Sequence, residues 1–97
     1  MSDSVALPAS EDPLTGDVYV PPRRFAADGS LRQCRPTTVP AQGTLASWTE
    51  YGGEFYGLVD LAHSARVQAL LGPDPHQIGA QYHGERDDSG VVRFHRE

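Results

Sequence analysis

Apolar and polar residues alternate in short, regular runs only in the second half of the chain, and those runs predict strands. Thr44 to Tyr51 is rich in β-formers and stops at Gly52-Gly53, a hairpin signal. Glu54 to Leu61 then places Phe55, Gly57, Val59 and Leu61 on one side and Tyr56, Leu58 and Asp60 on the other. After a turn at Ala62 to Ala65, Arg66 to Leu71 continues with Val67, Ala69 and Leu71 facing one way. These segments predict a three-stranded antiparallel meander. Gly72-Pro73-Asp74-Pro75 breaks it, and His76 to Gly79 leaves room for one helical turn. Ala80 to Glu85 alternates again, and Asp87-Asp88-Ser89-Gly90 makes a tight turn into the strand Val91 to Arg96. Five short strands without a long helix predict an all-β fold, a small Greek-key barrel of the OB kind, because closure removes the exposed edges of so small a sheet.

The first half reads differently. Residues 1 to 20 carry Asp3, Glu11, Asp12 and Asp17, no basic residue, and one apolar cluster at Val18-Tyr19-Val20. Residues 1–11 therefore read as a flexible tail. Pro21-Pro22-Arg23-Arg24-Phe25, Asp28-Gly29-Ser30, Cys34-Arg35-Pro36 and Pro40 make a turn-rich connector up to residue 42, with four arginines against one aspartate between 21 and 43. The barrel occupies 43–97.

Composition narrows the function. At 97 residues there is room for one small domain, and a chain of this size buries only about 60 to 65% of its unfolded surface, leaving little for a deep catalytic cavity. All 8 basic residues are arginine, so no lysine is present for a Schiff base or a P-loop. One cysteine, Cys34, excludes an intramolecular disulfide, and no apolar run is long enough for a signal peptide core or a membrane span. The expected location is cytoplasmic, without membrane contact. A net charge of −5 opposes non-specific nucleic-acid binding.

Taken in order, Gly43 to Thr49, Tyr56 to Leu61, Arg66 to Leu71, Ile78-Gly79 and Val92-Arg93-Phe94 resemble the acyl-CoA-associated OB-fold family catalogued as domain of unknown function thirty-five. The resemblance runs from about Asp12 to the C-terminus. In that family a rubredoxin-like zinc ribbon precedes the barrel, its two knuckles separated by a proline-proline-arginine segment. The resemblance aligns the first knuckle with Asp12 to Gly16 and the second with Phe25 to Ser30, so the four thiolate positions hold Asp12, Thr15, Phe25 and Asp28. Those side chains cannot supply a tetrahedral zinc site, and a degenerate, metal-free ribbon is expected.

For function, the resemblance implies a non-catalytic accessory subunit. Its partner would be a thiolase-like enzyme that forms or cleaves carbon-carbon bonds in CoA thioesters, such as a retro-aldolase or acyltransferase, or an enoyl-CoA hydratase. The small subunit would stabilise that enzyme and help shape its acyl-CoA channel. It would bind no cofactor itself, the CoA thioester being the substrate of the complex.

The candidate CoA- or partner-binding residues are Arg23, Arg24, Arg32 and Arg35, suited to bidentate contact with phosphate or carboxylate, and the aromatics Trp48, Tyr51 and Tyr56. The plainer alternatives are a solvated basic face and, for Trp48 and Phe55, filling of the barrel, with Tyr51 and Tyr56 the more exposed pair. His63, His76, His83 and His95 show no metal-binding spacing and read as surface histidines; His83 and Glu85 share a strand face. Cys34 has no base beside it, and Ser47 and Ser64 lie in no nucleophile elbow. No catalytic residue is assigned. The rival reading is an OB-fold module for single-stranded nucleic acid or oligosaccharide.

Overall fold

The computed structural model describes residues 5–73 and 75–97, with Ser64 described by its backbone alone. Eight strands follow one another: β1 Ala6–Glu11, β2 Val18–Tyr19, β3 Arg35–Pro40, β4 Gln42–Tyr51, β5 Glu54–Asp60, β6 Arg66–Leu71, β7 Gln81–Arg86 and β8 Val92–Arg96. Between β5 and β6 the chain makes a single 3-10 turn at Ala62–Ser64. The described residues contain no α-helix.

β4 to β8 close into a five-stranded barrel with neighbours in the order β4-β5-β6-β8-β7. All pairs are antiparallel except β6 with β8, which are parallel through Leu70↔Arg93 and Leu71↔Phe94. This is an OB-like mixed barrel, as the strand pattern predicts. Its interior is filled by Leu45, Val59, Leu71, Tyr82 and Phe94, all essentially without solvent exposure. Gly57 is the reason they meet: a Cβ there would come within 2.8 Å of Leu45 and 2.9 Å of Leu71. Leu45 and Leu71 pack directly on the backbone at that point, which a larger residue would prevent.

Strict alternation fails at one place. The β4–β5 register shifts between Leu45 and Ser47, a bulge that lets Leu45 accept from Gly79 N–H at 2.8 Å and donate to Ala80 O at 3.1 Å. Downstream of it Trp48 lies opposite Gly57, and Trp48 is 41% exposed at the rim. Trp48 therefore does not fill the barrel, contrary to that alternative, and Phe55 beside it is only half-buried.

Ahead of the barrel stands a second, three-stranded sheet in the order β2-β1-β3. Residues 6–11, which the composition assigns to a tail, are its central strand, and residues 35–40 of the connector are its partner, paired from Ala6↔Pro40 to Glu11↔Arg35. Residues 1–4 of the expected tail lie outside the described residues. The correction has a physical cause. Leu7 and Ala9 pair with Val39 and Thr37, and Ala9 and Val39 are buried in the same apolar cluster as the barrel core. Ala41 completes the join, its N–H bonded to Val5 O and its O accepting from Gly84 N–H.

Candidate functional site

The four arginines between residues 23 and 35 divide into two kinds. Arg32 is saturated. Its Nε and Nη2 donate to the two carboxylate oxygens of Asp12 at 2.8 and 2.6 Å, and Nη2 also reaches Asp28 at 2.9 Å. The sequence prepares both acids for this. Asp12 opens a turn closed by Gly16 N–H on Asp12 O and by Asp12 N–H on Asp17 O, with Gly16 at φ +78°, and its carboxylate also accepts from Leu14 N–H. Asp28 opens the matching turn, accepting from Ser30 N–H at 3.0 Å, with Gly29 at φ +80°. Asp12 is buried, 1% exposed.

These bonds hold both acids ionised. The Arg32 guanidinium, with further help from Leu14 N–H and Thr15 and against the cost of burial, holds the Asp12 carboxyl far below the usual carboxylate range. Ser30 first, through its side chain and N–H, and then Arg32 bring Asp28 down to about 2. Arg32 is in turn pushed above its ordinary value by the two carboxylates. Thr15 thus contributes to the Asp12 turn, and its hydroxyl also accepts from Asp17 N–H. Phe25 stands apart, in an isolated bridge to Gln33.

Arg35 is paired as well, with Glu11 across the β1–β3 sheet at 2.6 Å. Arg23 and Arg24 differ. Neither makes an ion pair among the described residues, and each lies over an aromatic ring, Arg23 at 5.3 Å from the Tyr19 centroid and Arg24 at 5.5 Å from that of Phe25. Tyr19 is itself anchored, its hydroxyl accepting from Ala27 N–H, and the Arg23 backbone donates to Ser10 at 2.7 Å. Stacking on the ring faces leaves their N–H edges without an acceptor among the described residues.

Arg23 also edges a cleft of about 600 Å³ between the small sheet and the barrel. Its walls are Val18, Val20, Pro21 and Pro22 from one side and His63, Ala65 and Arg66 from the other.

The three candidate aromatics are not one patch. Tyr51 stands at the β4–β5 hairpin tip, 78% exposed. Trp48 and Tyr56, with Ser47, Thr49, Leu58 and Gln68, line a shallow groove of about 350 Å³ on the outside of β4, β5 and β6, which has no charged residue in its lining.

Trp48 also joins an aromatic group that sequence reasoning missed. His76, expected at the surface, packs its ring 5.4 Å from Trp48, 5.1 Å from Phe55 and 5.8 Å from Tyr82. One ring nitrogen meets the Tyr82 hydroxyl at 2.9 Å and the other Gly72 O at 2.8 Å, while Gln77 N–H donates to the same hydroxyl. His76 thereby pins the loop after Gly72 onto the barrel end; Asp74 in that loop lies outside the described residues. The loop composition carries no sign of this, because the partner Tyr82 arrives from the next strand.

Of the remaining histidines His63 is exposed, while His83 and His95 are half-buried like His76. His83 and Glu85 do share a face, at 3.1 Å, joined across the strands by His95 and by Glu97. Among the described residues, no three His, Cys, Asp or Glu side chains are arranged to hold a metal ion. Cys34 is half-buried and its N–H bonds to Arg24 O. Nor is any helix of the described residues long and apolar enough to cross a membrane.

Comparison with protein-family models and with curated proteins finds no match for this chain. The reading of its function therefore rests on the residues themselves.

Proposed function

We propose that this chain is a zinc-less relative of the acyl-CoA-associated OB-fold family, acting as the small, non-catalytic subunit of a thiolase-like enzyme or of an enoyl-CoA hydratase. One observation carries the reading. Asp12 and Asp28 occupy two of the positions that the resemblance gives to metal thiolates, and they converge on a single cation, Arg32, ahead of an OB-like barrel. A ribbon that has exchanged its metal for a guanidinium would keep the turns and lose the ligands. That is the pattern of Gly16 and Gly29 in left-handed geometry beside Asp12 and Asp28.

In this reading the subunit acts by shape and charge. The catalytic nucleophile, base and oxyanion donors reside on the partner. Of the candidate residues, Arg23 and Arg24 are the ones with N–H groups to spare for a carboxylate on a partner or for the phosphates of a CoA thioester, whereas Arg32 and Arg35 serve the ribbon. Tyr51 at the hairpin tip and Trp48 at the rim offer the apolar anchors of an interface. The chain belongs with its partner in the cytoplasm.

Co-expression tests this. The partner enzyme should be poorly soluble or poorly active alone and recover when this chain is added, with Arg23→Ala/Arg24→Ala weakening the recovery. A partner fully active by itself overturns the proposal.

The uncharged groove beside Trp48 and Tyr56 favours one second reading, a site for a neutral oligosaccharide. It does not favour nucleic acid, since no arginine lines it.

A further inference from the structure

The cleft between the small sheet and the barrel is unlike the rest of the surface in its chemistry. Arg23 brings a positive charge that no carboxylate pairs with among the described residues, and it lies over the Tyr19 ring. Facing it from the barrel side is His63, a non-glycine residue at φ +61°, a backbone conformation that needs its surroundings to hold it. Arg66 lines the same wall, but its fork is occupied by Asp60 at 2.6 and 3.2 Å, so it contributes bulk more than free charge. Between these lie the apolar Val18, Val20, Pro21, Pro22 and Ala65. Asp17 adds a carboxylate to the same lining. It enters no side-chain ion pair among the described residues, its N–H being bonded to Thr15.

A positive group, an imidazole and a separate carboxylate around one apolar floor select against two classes of ligand. A polyanion such as a nucleic-acid backbone meets Asp17, and a purely apolar ligand leaves Arg23 and Asp17 desolvated without partners. A ligand that satisfies all of them has an oxyanion for Arg23 and His63, hydroxyl donors for Asp17, and a compact body for the floor.

We propose that this cleft binds a small hydroxylated organic anion, a sugar phosphate or a hydroxy acid, with Arg23 and His63 on the oxyanion and Asp17 on the hydroxyls. The two walls come from different sheets, so an occupant bridges them. This site does not depend on the accessory-subunit reading: a partner enzyme can ignore the chain while the cleft still takes its ligand.

The test is titration of the ¹⁵N-labelled chain with ribose 5-phosphate, followed by NMR at His63, Arg23 and Asp17. Saturable shifts confined to the cleft are expected, with ribose alone and inorganic phosphate alone each binding more weakly. Malate supplies the carboxylate arm, and the tighter of the two anions identifies the source of the oxyanion. Arg23→Gln, at an exposed position that folding tolerates, should weaken binding about tenfold, the loss of one charge-assisted contact. Asp17→Asn should weaken ribose 5-phosphate while inorganic phosphate binds no more weakly than before, and Arg96→Gln on the far strand should change neither. The proposal is overturned by shifts that do not saturate, by shifts centred on Arg86 and Arg96, or by an Arg23→Gln chain that binds as well as the original.

Discussion

The barrel and the small sheet in front of it are built on different principles. The barrel surrounds a dry interior of Leu45, Val59, Leu71, Tyr82 and Phe94, and its strands stand where the apolar periodicity puts them. The small sheet buries Ala9 and Val39 against that interior, but its turns are tied by a guanidinium and two carboxylates. Hydrophobic burial needs area and is indifferent to direction, whereas an ion pair needs two residues in one geometry and little area. The turns of this segment, which bury too little to form a core of their own, are therefore ordered by the second means.

Mutations can break that contrast. Leu71→Ala should cost the whole molecule about 2 to 5 kcal/mol in urea unfolding, since it empties part of a sealed core. Both sheets should melt together, because Ala9 and Val39 share that cluster. Tyr82→Phe should cost about 1 to 3 kcal/mol, as His76 and the Gln77 N–H lose their common partner. Hydrogen exchange should show the damage concentrated in residues 75–80.

In the turns around Arg32 the effect should be local. Arg32→Gln leaves Asp12 buried without its cation, and the amides of Ala26 and Cys34, bonded to Arg32 O and Arg24 O, should lose protection before those of the barrel. Acid probes the same bonds with a defined sign. Carboxyls lowered by folding stabilise the native state above their unfolded value of about 4 and stop doing so as pH falls through the folded value. With Asp28 near 2 and Asp12 also lowered, amide protection in these turns should persist at pH 5 and fade between about 4 and 2. Loosening of these turns above pH 5 contradicts the ion-pair account. Smallest of all, Asp60→Asn should barely move the unfolding midpoint, because the exposed pair it forms with Arg66 is screened by water.

How legible each region was follows from the same contrast. Thr44 to Tyr51, Glu54 to Leu61, Arg66 to Leu71, Ala80 to Glu85 and Val91 to Arg96 were readable within a residue or two, since each barrel strand repeats inside and outside with period two. The bulge after Leu45 was not, because it answers to the loop at Gly79, more than thirty positions away in sequence. Strands β1 and β3 were hidden by Pro8, Pro36 and Pro40, which lower any local β signal: Pro36 and Pro40 lie on the edge strand β3, and Pro8 lies on the part of β1 that the two-residue β2 does not reach. At the candidate site, the types and positions of the arginines were visible. Which of them are occupied was not, for that depends on Asp12 and Asp28 meeting Arg32, 20 and 4 residues away.

The Asp12–Arg32–Asp28 bridge also changes what the protein requires of its surroundings. A clasp made from the chain's own side chains is complete at the moment of folding. Its three side chains carry no sulfur or other soft donor, so neither a chelator nor a thiol oxidant acts on them directly. Its exposure is to dissolved ions instead: concentrated salt competes for Asp28 at the solvent side, while Asp12, sealed beneath, keeps its hold.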